Sequence, residues 1–172
     1  MHNTMKKTFA ALAGLALIPT AAVANMYAPH PGTVMATTYH SSGAFHGAVD
    51  ISSGRCNYWG VRVPLAGSRF WNVTIRTTSV ACFGSGSGTQ NEVKHVLADG
   101  WVVRMWHFIK TADSYDRTCD RCQIGNEGAT GSVSSAHTHI QVDKNGTLDT
   151  SWYSGHTVKG EVIDAGELLG VL

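Results

Sequence analysis

His46 and Asp50 stand four residues apart in His46-Gly47-Ala48-Val49-Asp50, and two imidazoles stand two apart in His137-Thr138-His139. An extended or turn-flanked segment puts the first pair on one side, and a strand turns both imidazoles of the second pair the same way. Two imidazoles and one carboxylate from such segments make three protein ligands, the number a catalytic zinc takes while keeping a fourth position for water. A zinc so held lowers the pKa of its water from about 15.7 toward roughly 7 and polarises a carbonyl, which suits hydrolysis of an amide. A further imidazole, His107, closes the apolar run Trp101 to Ile109 and shares a face with Met105. Taken alone, a buried histidine in that setting is more often a hydrogen-bonded structural group. The chain has nine histidines, about twice ordinary usage. His30, His95 and His156 have no partner at ligand spacing and read as surface or groove residues. His40 reads the same way and, six residues before His46, is the best placed of them to line a cleft.

The elements that carry these residues read as strands. Arg69 to Arg76 alternates Phe70, Asn72, Thr74 and Arg76 against Trp71, Val73 and Ile75. Trp101 to Ile109 is apolar on both faces and predicts a strand buried on both sides. Asp99-Gly100 follows Val93 to Leu97, and Asn145-Gly146 follows Thr138 to Val142; both dipeptides are type I′ hairpin signals. Further strands are expected at Gly32 to Thr38, Val61 to Val63, Thr78 to Cys82 and Thr157 to Ile163. No segment after the N-terminal region sustains a 3.6-residue apolar period. The expectation is an all-β fold: a single compact domain of antiparallel sheets, with long loops around a groove and few or no helices. Gly84 to Thr89 and Thr111 to Arg121 read as long loops. The aromatic residues Trp59, Trp71, Trp106, Tyr58 and Tyr153 read as core or rim groups.

Residues 1–24 have the pattern of a secretory signal. Lys6-Lys7 gives a positive start, Thr8 to Ile18 an apolar stretch, and Ala22-Val23-Ala24 small residues at the cleavage positions, with cleavage expected after Ala24. The stretch is short for a bilayer span, which needs about 20 residues, so residues 25–172 are expected to act without a membrane span, in the periplasm or outside the cell. In an oxidising compartment Cys56, Cys82, Cys119 and Cys122 form an even set with three possible pairings. Cys56–Cys82 and Cys119–Cys122 are the favoured ones, and the first would stabilise by roughly 3 kcal/mol on a chain-entropy argument. Thirteen basic residues against twelve acidic, with no basic run longer than Lys6-Lys7, give no footprint for nucleic acid or for an anionic membrane.

Together these residues resemble the lysostaphin-like (LytM-type, M23) zinc metallopeptidases, which act on the peptide cross-links of bacterial peptidoglycan. The likeness lies in the order and approximate spacing of His46 and Asp50, the lone His107, and the His137/His139 pair. Gln123-Ile124-Gly125 and Gly128-Ala129-Thr130-Gly131 are similar to two further family elements. It covers about residues 31–142. The resemblance implies that His46, Asp50 and His139 hold one zinc ion per chain, and that His107 and His137 are unligated catalytic histidines. It also implies a secreted metalloendopeptidase, taken as a monomer, whose partner is peptidoglycan peptide. The chain departs from the family at Val133, Ser135, Ala136 and Thr138 and in Ile140-Gln141 after the last histidine. Bond specificity therefore does not carry over. Two other readings stand beside this one. A non-catalytic member of the fold that activates a wall enzyme typically loses metal ligands, whereas this chain keeps all of them. A zinc D-Ala-D-Ala-type carboxypeptidase would have an acid shortly before the last histidine, where Ser134, Ser135 and Ala136 stand.

Overall fold

The computed structural model describes residues 24–66, 69–77, 82, 90–110 and 117–172. The proposed leader before Ala24, the strand expected at Thr78 to Cys82 except its last residue, the loop Gly84 to Thr89 and the first part of the loop from Thr111 lie outside them. The strands are β1 (Asn25–Tyr27), β2 (Gly32–Ala36), β3 (Val49–Ser52), β4 (Gly60–Arg62), β5 (Arg69–Thr74), β6 (Glu92–Val96) and β7 (Trp101–Trp106). They continue with β8 (Ile109–Lys110), β9 (Arg117–Cys119), β10 (Gln123–Asn126), β11 (Thr138–Lys144), β12 (Thr147–Leu148), β13 (Val162–Ile163) and β14 (Leu168–Val171). Helical structure among the described residues is confined to single 3-10 turns at Ala98–Gly100 and Ser151–Tyr153. The fold is all-β, and among the described residues every strand pairing is antiparallel.

A nine-stranded sheet runs β13-β2-β3-β11-β7-β6-β5-β9, with β12 paired on β11. A three-stranded sheet, β4-β10-β8, and the pair β1-β14 complete the described strands. Because side chains alternate along a strand, cross-strand partners share a face. Val34 opposite Ile51 and Ile140 opposite Met105 and Val49 place one face of the large sheet in the core, beside Val142, Val103 and Val93. Met26, Val61, Phe108, Ile124, Trp152 and Leu169, from or beside the smaller sheets, join the same cluster. Burying each such side chain stabilises by about 1.5–3 kcal/mol relative to leaving it exposed. The opposite face of the sheet presents Asp50, His139, Trp106, Arg104 and Gln141.

The two hairpin dipeptides adopt the backbone that their residues favour. Asp99 and Gly100 have φ of 62° and 79°, and Asn145 and Gly146 of 50° and 80°, the left-handed values a type I′ turn requires. Four expectations are corrected. The strand expected over Trp101 to Ile109 breaks after Trp106, because His107 has a φ of 75°, and only its Val103/Met105 face is fully buried. Thr157 to Ile163 is strand only at Val162–Ile163, since the chain turns at Gly160, where φ is 90°. Arg117–Cys119 is a strand rather than loop, paired with β5. His30 and His95 are buried rather than on the surface or in a groove: His30 is hydrogen-bonded in the interior, and His95 lies against the ring of the core residue Trp71 at 5.0 Å. Cys56 and Cys82 are joined. Cys122 is disulfide-bonded, and the Cys119 side chain lies outside the described residues.

Candidate metal centre

The register of the large sheet sets one row of residues across its open face. Asp50 pairs with His139, His139 with Trp106, and Trp106 with Glu92. The row thus carries a carboxylate, an imidazole and an indole side by side, and Trp106 stacks on His139 with ring centroids 4.4 Å apart and planes 2° from parallel. His46 joins from the turn that leads into β3. That turn needs Gly47, whose φ is 70° and where an added Cβ would fall 2.3 Å from Leu148 Cδ2.

Three donor atoms converge there. His46 Nε2 lies 3.1 Å from His139 Nδ1 and 3.2 Å from Asp50 Oδ1, and His139 Nδ1 lies 2.9 Å from Asp50 Oδ1. His46 Nδ1 is 2.8 Å from the Thr37 carbonyl oxygen. A carbonyl can only accept, so Nδ1 carries the hydrogen and the neutral ring turns a bare Nε2 toward the other two atoms. The cluster is therefore rich in lone pairs and poor in hydrogens, an arrangement that calls for a proton or a cation. Donors around a tetrahedral zinc at about 2.0–2.1 Å stand about 3.3–3.5 Å apart. The observed separations fall a few tenths of an ångström short of that, so the donor set fits a zinc ion in type and in spacing.

The electrostatics agree with that reading. Burial alone would raise Asp50, but the His139 and His46 imidazoles beside it outweigh burial and hold the carboxyl well below the usual carboxylate range. Burial alone would lower His46, yet Asp50 more than compensates and raises it. Burial lowers His139. Its Nε2 is buried and has no partner among the described residues.

Two further imidazoles face the cluster. His137 precedes β11 instead of lying on it; its N–H bonds the Gly128 carbonyl at 3.0 Å, its Nδ1 donates to the Ser135 carbonyl at 2.9 Å, and its Nε2 is 3.9 Å from Asp50 Oδ1. His107 donates from Nδ1 to the Thr130 carbonyl at 2.7 Å, which leaves Nε2 bare in the neutral ring. Its ring centroid is 4.7 Å from that of His137 and 6.0 Å from that of His139. Strict alternation would have put His107 on the core face with Met105; the left-handed backbone at this residue turns it to the site instead. Burial, reinforced by His137, pushes His107 down to about 4.

Sequence reasoning missed the groups that hold this backbone break. Asn91 accepts from the N–H groups of Arg76 and Thr77 at 2.9 and 3.0 Å and donates to the carbonyls of Thr77 and Phe108, both at 2.9 Å. The Asn91 carbonyl receives the His107 N–H at 3.2 Å, and the Thr130 N–H bonds the His107 carbonyl at 3.1 Å. Gly128 passes so close that an added Cβ would lie 2.8 Å from the His107 carbonyl oxygen. The Gly128 to Gly131 run signals part of this, whereas nothing in the sequence singles out Asn91. His30 was also misread: its Nδ1 donates to the Pro31 carbonyl at 2.9 Å, so its Nε2 accepts from the Thr138 hydroxyl at 2.8 Å, bracing the residue between the two site histidines.

The cluster opens into a groove of about 1000 Å³ lined by His40–Ser42, Met35, Gln90, Trp106 and the Gly131–Ser135 segment. No family model matches the chain, and no curated protein does. Among solved structures it is similar to a zinc-containing peptidase from Vibrio cholerae, at 16% identity and a TM-score of 0.43 over 73% of this chain. The chain spans 39% of that structure's length. It is also similar to pseudoalterin, a deep-sea M23 metalloprotease, at 16% identity and a TM-score of 0.39 over 84% of this chain and 79% of the other.

Proposed function

We propose that this protein is a secreted zinc metalloendopeptidase that hydrolyses peptide cross-links of bacterial peptidoglycan, with His46, Asp50 and His139 holding one zinc ion and His107 and His137 acting as unligated catalytic groups. The observation that carries this reading is the convergence of His46 Nε2, Asp50 Oδ1 and His139 Nδ1 within 3.2 Å of one another at the edge of a groove that two more imidazoles face. A zinc ion bound there supplies Lewis acidity, lowering the pKa of water and polarising the scissile carbonyl.

The chain's own groups do the proton work. His107 is neutral near pH 7 and its Nδ1 hydrogen is committed to Thr130, so its Nε2 accepts the proton of an attacking water. The proton that His107 takes from water goes on to the leaving amine, which returns His107 to its neutral form, while His137, whose Nε2 lies beside Asp50, faces the position of the developing oxyanion. Trp106 holds the plane of His139 by stacking, and His30 holds Thr138. Export is supported by the N-terminal pattern of residues 1–24 and by the Cys56–Cys82 bridge.

Dye release from purified, dye-labelled sacculi tests the reading. Zinc-loaded protein releases dye, a chelator abolishes the release, and added zinc restores it. No release from sacculi by zinc-loaded protein would contradict the proposal.

A further inference from the structure

His46 and Asp50 belong to two donor sets at once. One includes His139. In the other, single donor atoms of His40, His46 and Asp50 all lie within 4.8 Å of one another, and the rings of His40 and His46 have centroids 4.3 Å apart. Donors on one tetrahedral ion stand about 3.3–3.5 Å apart, so to share an ion with His46 and Asp50 the His40 donor would close on theirs by up to about 1.5 Å.

The segment carrying His40 is built for such a displacement. At its base the His46 and Gly47 N–H groups bond the Thr38 carbonyl at 2.9 and 3.2 Å, and at its tip the His40 N–H bonds the Ala44 carbonyl at 2.9 Å. Lys159 Nζ donates to Ser41 Oγ at 2.7 Å. Between these ties the His40 ring is exposed and lines the groove, with no side-chain hydrogen bond among the described residues. It can turn about its χ angles without breaking a side-chain hydrogen bond, leaving only its ring contact with His46 to adjust.

We propose that His40 is a fourth, displaceable protein donor to the metal held by His46, Asp50 and His139. With His40 engaged the site has four protein donors, the closed form typical of sites that retain their ion; with His40 swung out it has three and an open position, the form catalysis needs. The position His40 leaves is the one that water or a substrate carbonyl would take. This inference rests on the metal site proposed above.

Two measurements independent of turnover test it: zinc affinity by chelator competition, and the ligand-field absorption spectrum of the cobalt(II)-substituted protein. His40→Ala and His40→Gln are expected to bind zinc about tenfold more weakly or worse. The His40→Ala cobalt spectrum shifts away from wild type, and free imidazole brings it back. Unchanged affinity together with superimposable spectra in both variants would overturn the fourth donor. The metal reading itself fails by a different result, no zinc bound by the wild-type protein at all, so the two failures are told apart.

Discussion

Two clusters of charged and polar groups share the open face of the large sheet, and they are opposites. In one, Arg104 lies between two acids, with its Nη1 2.8 Å from Glu92 Oε1 and its Nε 2.9 Å from Asp143 Oδ2, while Gln141 donates to the other oxygen of Asp143 at 2.8 Å. The bond to Asp143, ahead of that to Glu92, raises Arg104 above its ordinary value. Each carboxylate there has a donor, and the cluster is complete. In the other, a carboxylate oxygen and two imidazole nitrogens point at one another with too few hydrogens to share. The first cluster explains itself within the protein, whereas the second would be completed by the cation proposed for it.

The comparison can be broken at several places. The largest effect is expected at His107, which faces the donor cluster without belonging to it. His107→Ala should keep its zinc and lose about 10²- to 10⁴-fold in turnover on sacculi, the usual range for a general acid or base. Near-normal activity would make His107 structural, and lost zinc would make it a ligand. Asn91→Ala comes next. It strips partners from backbone groups of Arg76, Thr77 and Phe108, a loss of about 2 kcal/mol or more in urea unfolding, with turnover falling as His107 loses its support.

His30 gives a smaller, pH-dependent effect. Burial lowers its pKa below 6.5 in the folded protein, against the partial compensation of its bond to Pro31. The unfolded chain then binds the extra proton first, so this contribution to stability is fully present above pH 6.5 and is lost as pH falls below it. Wild type should therefore lose more stability than His30→Asn between about pH 7.5 and about pH 5.5. Equal losses would show that His30 does not titrate as its burial demands. Smallest of all is Arg104→Met. The salt bridges it removes are partly exposed, with Arg104 28% and Glu92 24% accessible, so the change is expected to stay within about 1 kcal/mol and to leave zinc content untouched.

The legible part of this molecule is the part built by regular ladders. Alternation along Thr138 to Val142 and the two-residue turn at Asn145-Gly146 give the strand and hairpin observed there, and the i, i+4 spacing of His46 and Asp50 does bring those side chains to 3.2 Å. What escaped is irregular. Nothing in Trp106-His107-Phe108 announces a positive φ at a histidine, because its support comes from Asn91 and Thr130, 16 and 23 residues distant along the chain. His30 escaped for a similar reason. Its partner Thr138 is 108 residues away, a distance that local pattern cannot span. The strands β1 and β14 were missed because each is only a few residues long and they pair across nearly the whole described chain.

The central claim is that the His46–Asp50–His139 cluster holds a metal and the Arg104 cluster does not. Metal analysis of purified wild type, His139→Ala and Arg104→Met after equilibration with limiting zinc tests it most directly. The account predicts one zinc per chain in wild type and in Arg104→Met, and the loss of most of it in His139→Ala, since a site that loses a buried donor holds the ion poorly. Full zinc in His139→Ala, or none in wild type, would contradict it.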